Sequence, residues 1–380
     1  MRKCDVAIIG LGLMGSAALY ELARRGCDVL GFDPLQLGEA RGSSHGSCRI
    51  FRRFNFESTA YTALSDRAFA GWQRLQEETG QTVLLPSPIL EAGPPGCELV
   101  AQSRAAALAA NSPLTGPRNG REANAAYPAF ALPDDWDVVV HDSGGILLAE
   151  AAIRALRAKA QARIIQAAAR IEPVPAGIRI VTASEEIMAA QVIVSAGPWI
   201  TNLVPGLTPH LTVTRQPVGW FRPARPESVR HGALPIFIIE AARGMIYGFP
   251  DFEGRGVKAA QHDHGPVVGA DSWDPPASDA ELELASTTLA ELIPGAAGPL
   301  TERDICLYTN TARADVRVDA GNEFIIDRLP QDRRVIVASP CSGHGAKFAT
   351  AIGAMLADMV GDPNLTALDP FRLDRFSGFA

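Results

Sequence analysis

The apolar positions of this chain change period along its length. Residues 5–9 form a short apolar run that Gly10, Gly12 and Gly15 interrupt. Apolar residues then recur at helical spacing to about Arg25, and a second short run ends at Asp33. Short runs bounded by turn residues read as buried strands, and a 3.6-residue recurrence reads as helix. The opening therefore predicts strand, tight turn, helix and strand. The spacing over 58–79 predicts another helix with Leu64, Phe69, Trp72 and Leu75 on its buried face. Proline- and glycine-rich stretches at 86–95 and 112–120 read as connections into a different layer. An alanine-rich helix over about 151–161 follows, then a hairpin-like strand pair over 171–183 and the buried strand QVIV. Alternation in TVTRQPVGWFRP, PIFIIE and GMIYGFP (211–251) predicts an antiparallel sheet. A helix near 279–293, a strand at ICLYTNT, strands in EFIIDRLP and VIVAS, the turn PCSGHGAKF and a helix to about Val360 close the chain.

A chain of 380 residues is long for one core, and two domains are expected. The fold class is α/β, with an α+β second domain. Residues 1–82, 146–212 and 318–380 are expected to build a Rossmann-type nucleotide domain from separated segments. Residues 83–145 and 213–317 are expected to build an antiparallel-sheet substrate domain.

GLGLMG, placed between strand and helix, carries the most specific chemistry. Gly10 permits the tight turn, Gly12 lets backbone approach a pyrophosphate, and Gly15 lets helix pack on strand. The helix N-terminus then turns its positive end toward the phosphates. Asp33, 23 residues after Gly10, stands where an acid binds a ribose hydroxyl and disfavours a 2'-phosphate. Gly197, after QVIVSA, is a second place for close backbone approach. In a nicotinamide enzyme the alternation of strand and helix normally continues from here. In this chain it gives way to a long loop and helix and resumes much later, and that discontinuity fits FAD.

Composition narrows the partners. A hydrophobic share of 47% and a charged share of 20% are ordinary for a globular enzyme. The net charge of −7 argues against nucleic acid or an anionic membrane as partner. No apolar run reaches the ~18 residues of a membrane span, and no cleavage site follows the N-terminal run, so a cytoplasmic protein is expected. The six cysteines lack CxxC pairs or metal spacing, and no metal is expected. Against this background GSSHGSCRIFRRF (42–54) is unusual: three arginines and a histidine stand among small residues. Such a loop suits a small anionic ligand.

Five motifs in order, GLGLMG, GSSHGSCRIFRRF, YGFPDFEGRGVKAAQH, CLYTNT, and FIIDRLP with SGHGAKF, resemble the D-amino-acid oxidase superfamily of flavoproteins. Within it they are most similar to the monomeric sarcosine oxidase and N-methyltryptophan oxidase group, over nearly the whole chain. The resemblance implies FAD held covalently by Cys306. It implies Lys258 beside the flavin to promote oxygen reduction, where a fixed cation stabilises forming anions, and Arg49 and His45 beside the ring. Arg52 and Lys347 would bind the substrate carboxylate, and His262, Tyr247, Tyr308 and Ile238 would line the pocket. Ser43, Ile171, Gly343 and Gly345 would join the cofactor contacts. The implied reaction is oxidation of a secondary amino acid to an imine, with O2 reduced to H2O2, by a monomer. A dehydrogenase, or an oxidase of a primary or specialised amine, is the alternative.

Four departures bear on the substrate. ARADVRVDAGNEFIID after Thr311 is longer than the family's connection. Pro340-Cys341 and Ala346 replace Gly-Phe and a second Phe, Cys48 replaces a threonine, and Ile238 replaces a methionine. The smaller side chains imply room for a substrate bulkier than sarcosine.

Overall fold

The computed structural model describes residues 1–55, 60–112, 114, 116–262, 265–272, 276–311, 323–366, 368–376 and 378–379. The long connection after Thr311 lies almost wholly outside these residues.

The strand Val29–Phe32 and the C-terminal parts of Arg2–Ile9, Glu186–Val194 and Asp332–Ser339 are apolar runs buried on both faces. That pattern suits parallel strands covered by helices. They pair in parallel with Arg2–Ile9 between Val29–Phe32 and Glu186–Val194. Arg163–Ile165 and Ile325–Leu329 flank the sheet, and the hairpin Arg170–Val174 with Gly177–Val181 attaches through Glu186–Val194. The helices Leu13–Arg24, Ala60–Thr79, Ala149–Ala160 and Ala349–Gly361 pack on one face. Small residues let them approach: a Cβ on Gly353 would lie 2.6 Å from the Ala17 backbone.

The second sheet runs in the order Leu300–Thr311, Leu211–Phe221, Val257–Gln261, Gly244–Phe249, Ile236–Ala241, Ile89–Gly93, Asp137–His141. Every neighbouring pair is antiparallel except Ile236–Ala241 with Ile89–Gly93. The helix Asp279–Leu292 covers one side. A small sheet of Cys48–Phe51, Gly145–Leu148 and Leu84–Pro86 stands beside the two large ones.

Two expectations need correction. Phe69 is 40% exposed, because the buried stripe of its helix is Tyr61, Leu64, Ala68, Trp72 and Leu75, and Phe69 falls off that stripe. Residues 86–95 are no mere connection: Ile89–Gly93, framed by prolines, is a fully buried strand inside the second sheet. The helices Glu98–Ala109 and Gly120–Ala126 and the strand Asp137–His141 were likewise not anticipated.

Candidate active site

The glycine turn is shaped by contact on all sides. Gly10 has φ +91°, and a Cβ there would stand 2.6 Å from the Ser195 carbonyl oxygen. A Cβ on Gly15 would stand 1.9 Å from the carbonyl oxygen of Gly10. Gly15 is thus a helix-on-strand contact, as its place in the motif predicts. Leu13 N–H, at the helix start, donates to Ser44 Oγ at 3.1 Å, which seats the loop 42–46 against the helix N-terminus. Asp33 accepts from Leu11 N–H at 2.7 Å and Leu35 N–H at 2.9 Å, and the Arg157 guanidinium lies 3.7 Å away.

From this turn a cavity of about 730 Å³ runs to the second sheet. Gly10, Gly12, Asp33, Ser43, His45 and Gly197 line its first part. Arg49, Arg52, Ile238, Tyr247, Lys258, His262, Cys306, Tyr308, Gly343, Gly345 and Lys347 line the rest. Of the residues singled out from the sequence for the site or its substrate, Gly15, Cys48 and Ile171 stay off its wall. The Ile171 side chain turns inward against the core of the first sheet, and Ala168, Ala169 and Arg170 take the wall position instead.

Toward the second sheet the basic loop wraps around its own arginine. Arg49 donates to the carbonyl oxygens of Ser43 and His45 at 2.8 Å and of Cys48 at 2.7 Å, and its Nη2 stands 3.6 Å from Cys306 Sγ. Burial pushes the Cys306 thiol up, and the Arg49 guanidinium pulls against that shift. Ser43 Oγ donates to the Leu307 carbonyl oxygen at 2.5 Å, tying the loop to the strand that carries Cys306. His45 Nε2 lies 3.4 Å from Asp304 Oδ2 on that same strand. Burial alone would raise the Asp304 carboxyl, but the hydrogen bond and charge of His45 outweigh it and hold the carboxyl low.

Strand register places Lys258 directly opposite Trp220 on one side and Phe249 on the other. Its ammonium lies 4.9 Å from the Trp220 ring centre, 5.7 Å from that of Phe249 and 3.7 Å from Cys48 Sγ, and the residue is 5% exposed. Aromatic faces hold a cation without neutralising it. Burial pushes Tyr247 up to about 12 and Tyr308 well above its ordinary value, so both stay neutral. The His262 ring stands 6.0 Å from that of Tyr308 and 6.3 Å from that of Tyr247.

Arg52 and Lys347 reach the cavity from separate elements, the loop after Cys48–Phe51 and the turn Gly345–Phe348, and both are buried. Lys347 Nζ donates to the His344 carbonyl oxygen at 3.0 Å, and Trp72 Nε1 donates to the Lys347 carbonyl oxygen at 3.0 Å. Arg52 Nη1 stands 3.4 Å from Glu91 Oε1. Asp304, Trp220, Phe249 and Glu91 were not foreseen. Asp304 had a signal, since it lies two residues before Cys306 and so on the same strand face. Trp220 and Glu91 had none, because only sheet register brings them in.

The residues suit a long ligand with a nucleotide at one end. Glycines permit close backbone approach beside Asp33, and a thiol and a guanidinium meet at the far end, which fits FAD. Among the described residues no group of three His, Cys, Asp or Glu side chains could hold a metal, and no helix is long and apolar enough to cross a membrane.

Comparison with known proteins agrees with this geometry. The monomeric sarcosine oxidase of Bacillus sp. (strain B-0618) is 30% identical over 367 residues, spanning 93% of this chain and 91% of that protein. The N-methyl-L-tryptophan oxidase of Yersinia pestis (strain Pestoides F) is 30% identical over 392 residues, spanning 98% and 99%. The crystal structure of glycine oxidase from Geobacillus kaustophilus superposes with a TM-score of 0.79 at 20% identity, covering 100% of both chains, and so shares the fold. The family model described as FAD dependent oxidoreductase matches residues 5–359. The chain belongs to that family of FAD-dependent oxidoreductases.

Proposed function

We propose that this chain oxidises the carbon–nitrogen bond of secondary amino acids, N-methyl or cyclic, with O2 as acceptor and FAD attached through Cys306. The observation that carries the reading is one cavity with the glycine turn and Asp33 at one end, and Cys306, Arg52 and Lys347 at the other. Bound FAD supplies a two-electron acceptor that O2 can reoxidise. Overall, the amine loses two electrons and two protons to become an imine, O2 gains both as H2O2, and water hydrolyses the imine.

The chain's own residues position and charge-match the reactants. Gly10, Gly12, Asp33, Ser43 and Gly197 hold the nucleotide. Arg52 grips the substrate carboxylate as a fork and Lys347 adds a point charge. Tyr247 and Tyr308, kept neutral by burial, offer hydroxyls without repelling that carboxylate. His262 beside them biases the amine toward its unprotonated form, which alone releases the electron pair easily. Lys258 stabilises the anions of reduced oxygen from its aromatic cradle, and Arg49 and His45 favour negative charge near Cys306. The apolar side chains of Val218, Ile238, Met245 and Phe249 on the wall suit a substrate that carries an apolar side chain.

The same reading has a cytoplasmic monomer, with an FAD-binding domain drawn from residues 1–82, 146–212 and 318–380 and a substrate domain from 83–145 and 213–317. Its test joins two measurements. Acid-precipitated protein on a denaturing gel should carry flavin fluorescence that Cys306→Ala abolishes, and free flavin in the supernatant would overturn the covalent link. A panel of N-methyl, cyclic and primary amino acids should give H2O2 only with the first two classes. Turnover confined to primary amines would overturn the substrate class. Slow reaction with O2 beside fast transfer to an artificial acceptor would make the protein a dehydrogenase.

A further inference from the structure

Glu91 is a carboxylate with no exposed surface, on the strand Ile89–Gly93 in the interior of the second sheet. It does not line the cavity. Its two oxygens face different partners: Oε1 stands 3.4 Å from Arg52 Nη1, and Oε2 lies 3.1 Å from His141 Nε2 on the adjacent strand. Arg52 is 5% exposed and His141 4% exposed, so three ionisable groups are stacked in the floor beneath the substrate end. Register fixes Glu91 beside Ile238, which does line the cavity. A buried carboxylate of this kind is costly unless paired, and truncating one partner leaves the other charge uncompensated.

We infer that Glu91, braced by His141, is a positioning residue that aims the Arg52 fork at the substrate carboxylate. The inference rests on the reading that Arg52 binds that carboxylate. The arginine has a long flexible stem and hangs from a loop, whereas Glu91 and His141 sit on paired strands. A bidentate grip needs the guanidinium plane held in one orientation, and the sheet supplies that hold through Glu91. His141, its ring tilted against that of Phe54 with centroids 5.3 Å apart, fixes the second carboxylate oxygen. The Glu91 carboxyl is held below its ordinary range: burial opposes this, and His141 and Arg52 outweigh it, so the brace is ionised at working pH.

The alternative role is opposite in sign. If Glu91 merely competes with substrate for Arg52, neutralising it strengthens the binding of an anion. The test measures binding of phenylacetate and of neutral phenylacetamide to the holoenzyme by perturbation of flavin absorbance. Wild type should prefer the carboxylate, and Arg52→Gln should sharply reduce the preference, with Lys347 keeping the remainder. Glu91→Gln should weaken phenylacetate about 10–100-fold, the scale on which small misplacements act, and leave phenylacetamide within about twofold. With a turned-over amino acid, KM should rise and kcat fall by less. His141→Leu should shift phenylacetate in the same direction by a smaller factor, and it decides the matter if Glu91→Gln fails to fold. Unchanged or tighter phenylacetate binding in Glu91→Gln, or no change in His141→Leu, overturns the inference while leaving the Arg52 reading intact. A wild type without preference, or a preference that Arg52→Gln leaves undiminished, overturns both.

Discussion

Gly343 shows how strongly one position can be bound to its neighbours. It has φ +76°, and a Cβ there would lie 2.7 Å from the Tyr308 ring and 3.2 Å from His262 Cε1. Gly343→Ala should therefore cost about 1–3 kcal/mol through backbone strain and displacement, read as a lower Tm. The same change should raise KM, since both displaced rings line the cavity. Lys258 is different, because its neighbours supply aromatic faces and a thiol. Lys258→Met should slow reoxidation by O2 about 10²–10³-fold while substrate-driven flavin reduction changes little. Stopped-flow measurement of the two half-reactions checks it, and equal slowing of both would refute the assignment. The glycines and the basic side chains were legible as residue types. Their partners were not, because Asp304, Trp220 and Glu91 are assembled from strands distant in sequence.

Elements divide in the same way. The helix Asp279–Leu292 begins with a capping box in which Ser278 Oγ accepts from Glu281 N–H and the Glu281 carboxylate accepts from Ser278 N–H. That S-x-x-E pattern is a local signal, and Ser278→Ala should cost about 1 kcal/mol. Glu281 also accepts from Arg215 Nε at 2.9 Å, a contact only the fold makes. That hydrogen bond, first among the causes, holds the Glu281 carboxyl down to about 2 from an ordinary 4.5. A depressed carboxyl stabilises fully above the unfolded value and loses its contribution as pH falls through the folded one. Stability should therefore drop from about pH 4.5 toward 2, and Glu281→Gln should flatten that acid limb in a denaturation series. The strand Ile89–Gly93 was missed because prolines frame only five buried residues, too short a run for a period to show. Phe69 was misplaced because a helix counted from the sequence alone admits an apolar residue one position off the stripe.

At the scale of the molecule, the cavity joins the glycine turn of the first sheet to the cysteine strand of the second, with the loop 42–46 hydrogen-bonded to both sides. A ligand that fills it stabilises by binding only the folded state. Flavin-depleted protein should accordingly melt below the flavin-loaded form, and equal melting temperatures would refute a cofactor that bridges the sheets. By itself the sequence determined the strand–turn–helix opening, the glycines, the buried parallel runs and the basic loop, because each is set by contacts within a few residues or by a side chain's own chemistry, whereas Cys306 was singled out only by the resemblance to a family. Only the tertiary structure decided which carboxylate faces His45, which rings hold Lys258, where Ile171 turns and what stands behind Arg52. Those depend on the register between strands as far apart as Ile89–Gly93 and Ile236–Ala241, and no local pattern encodes a pairing closed across that length of chain.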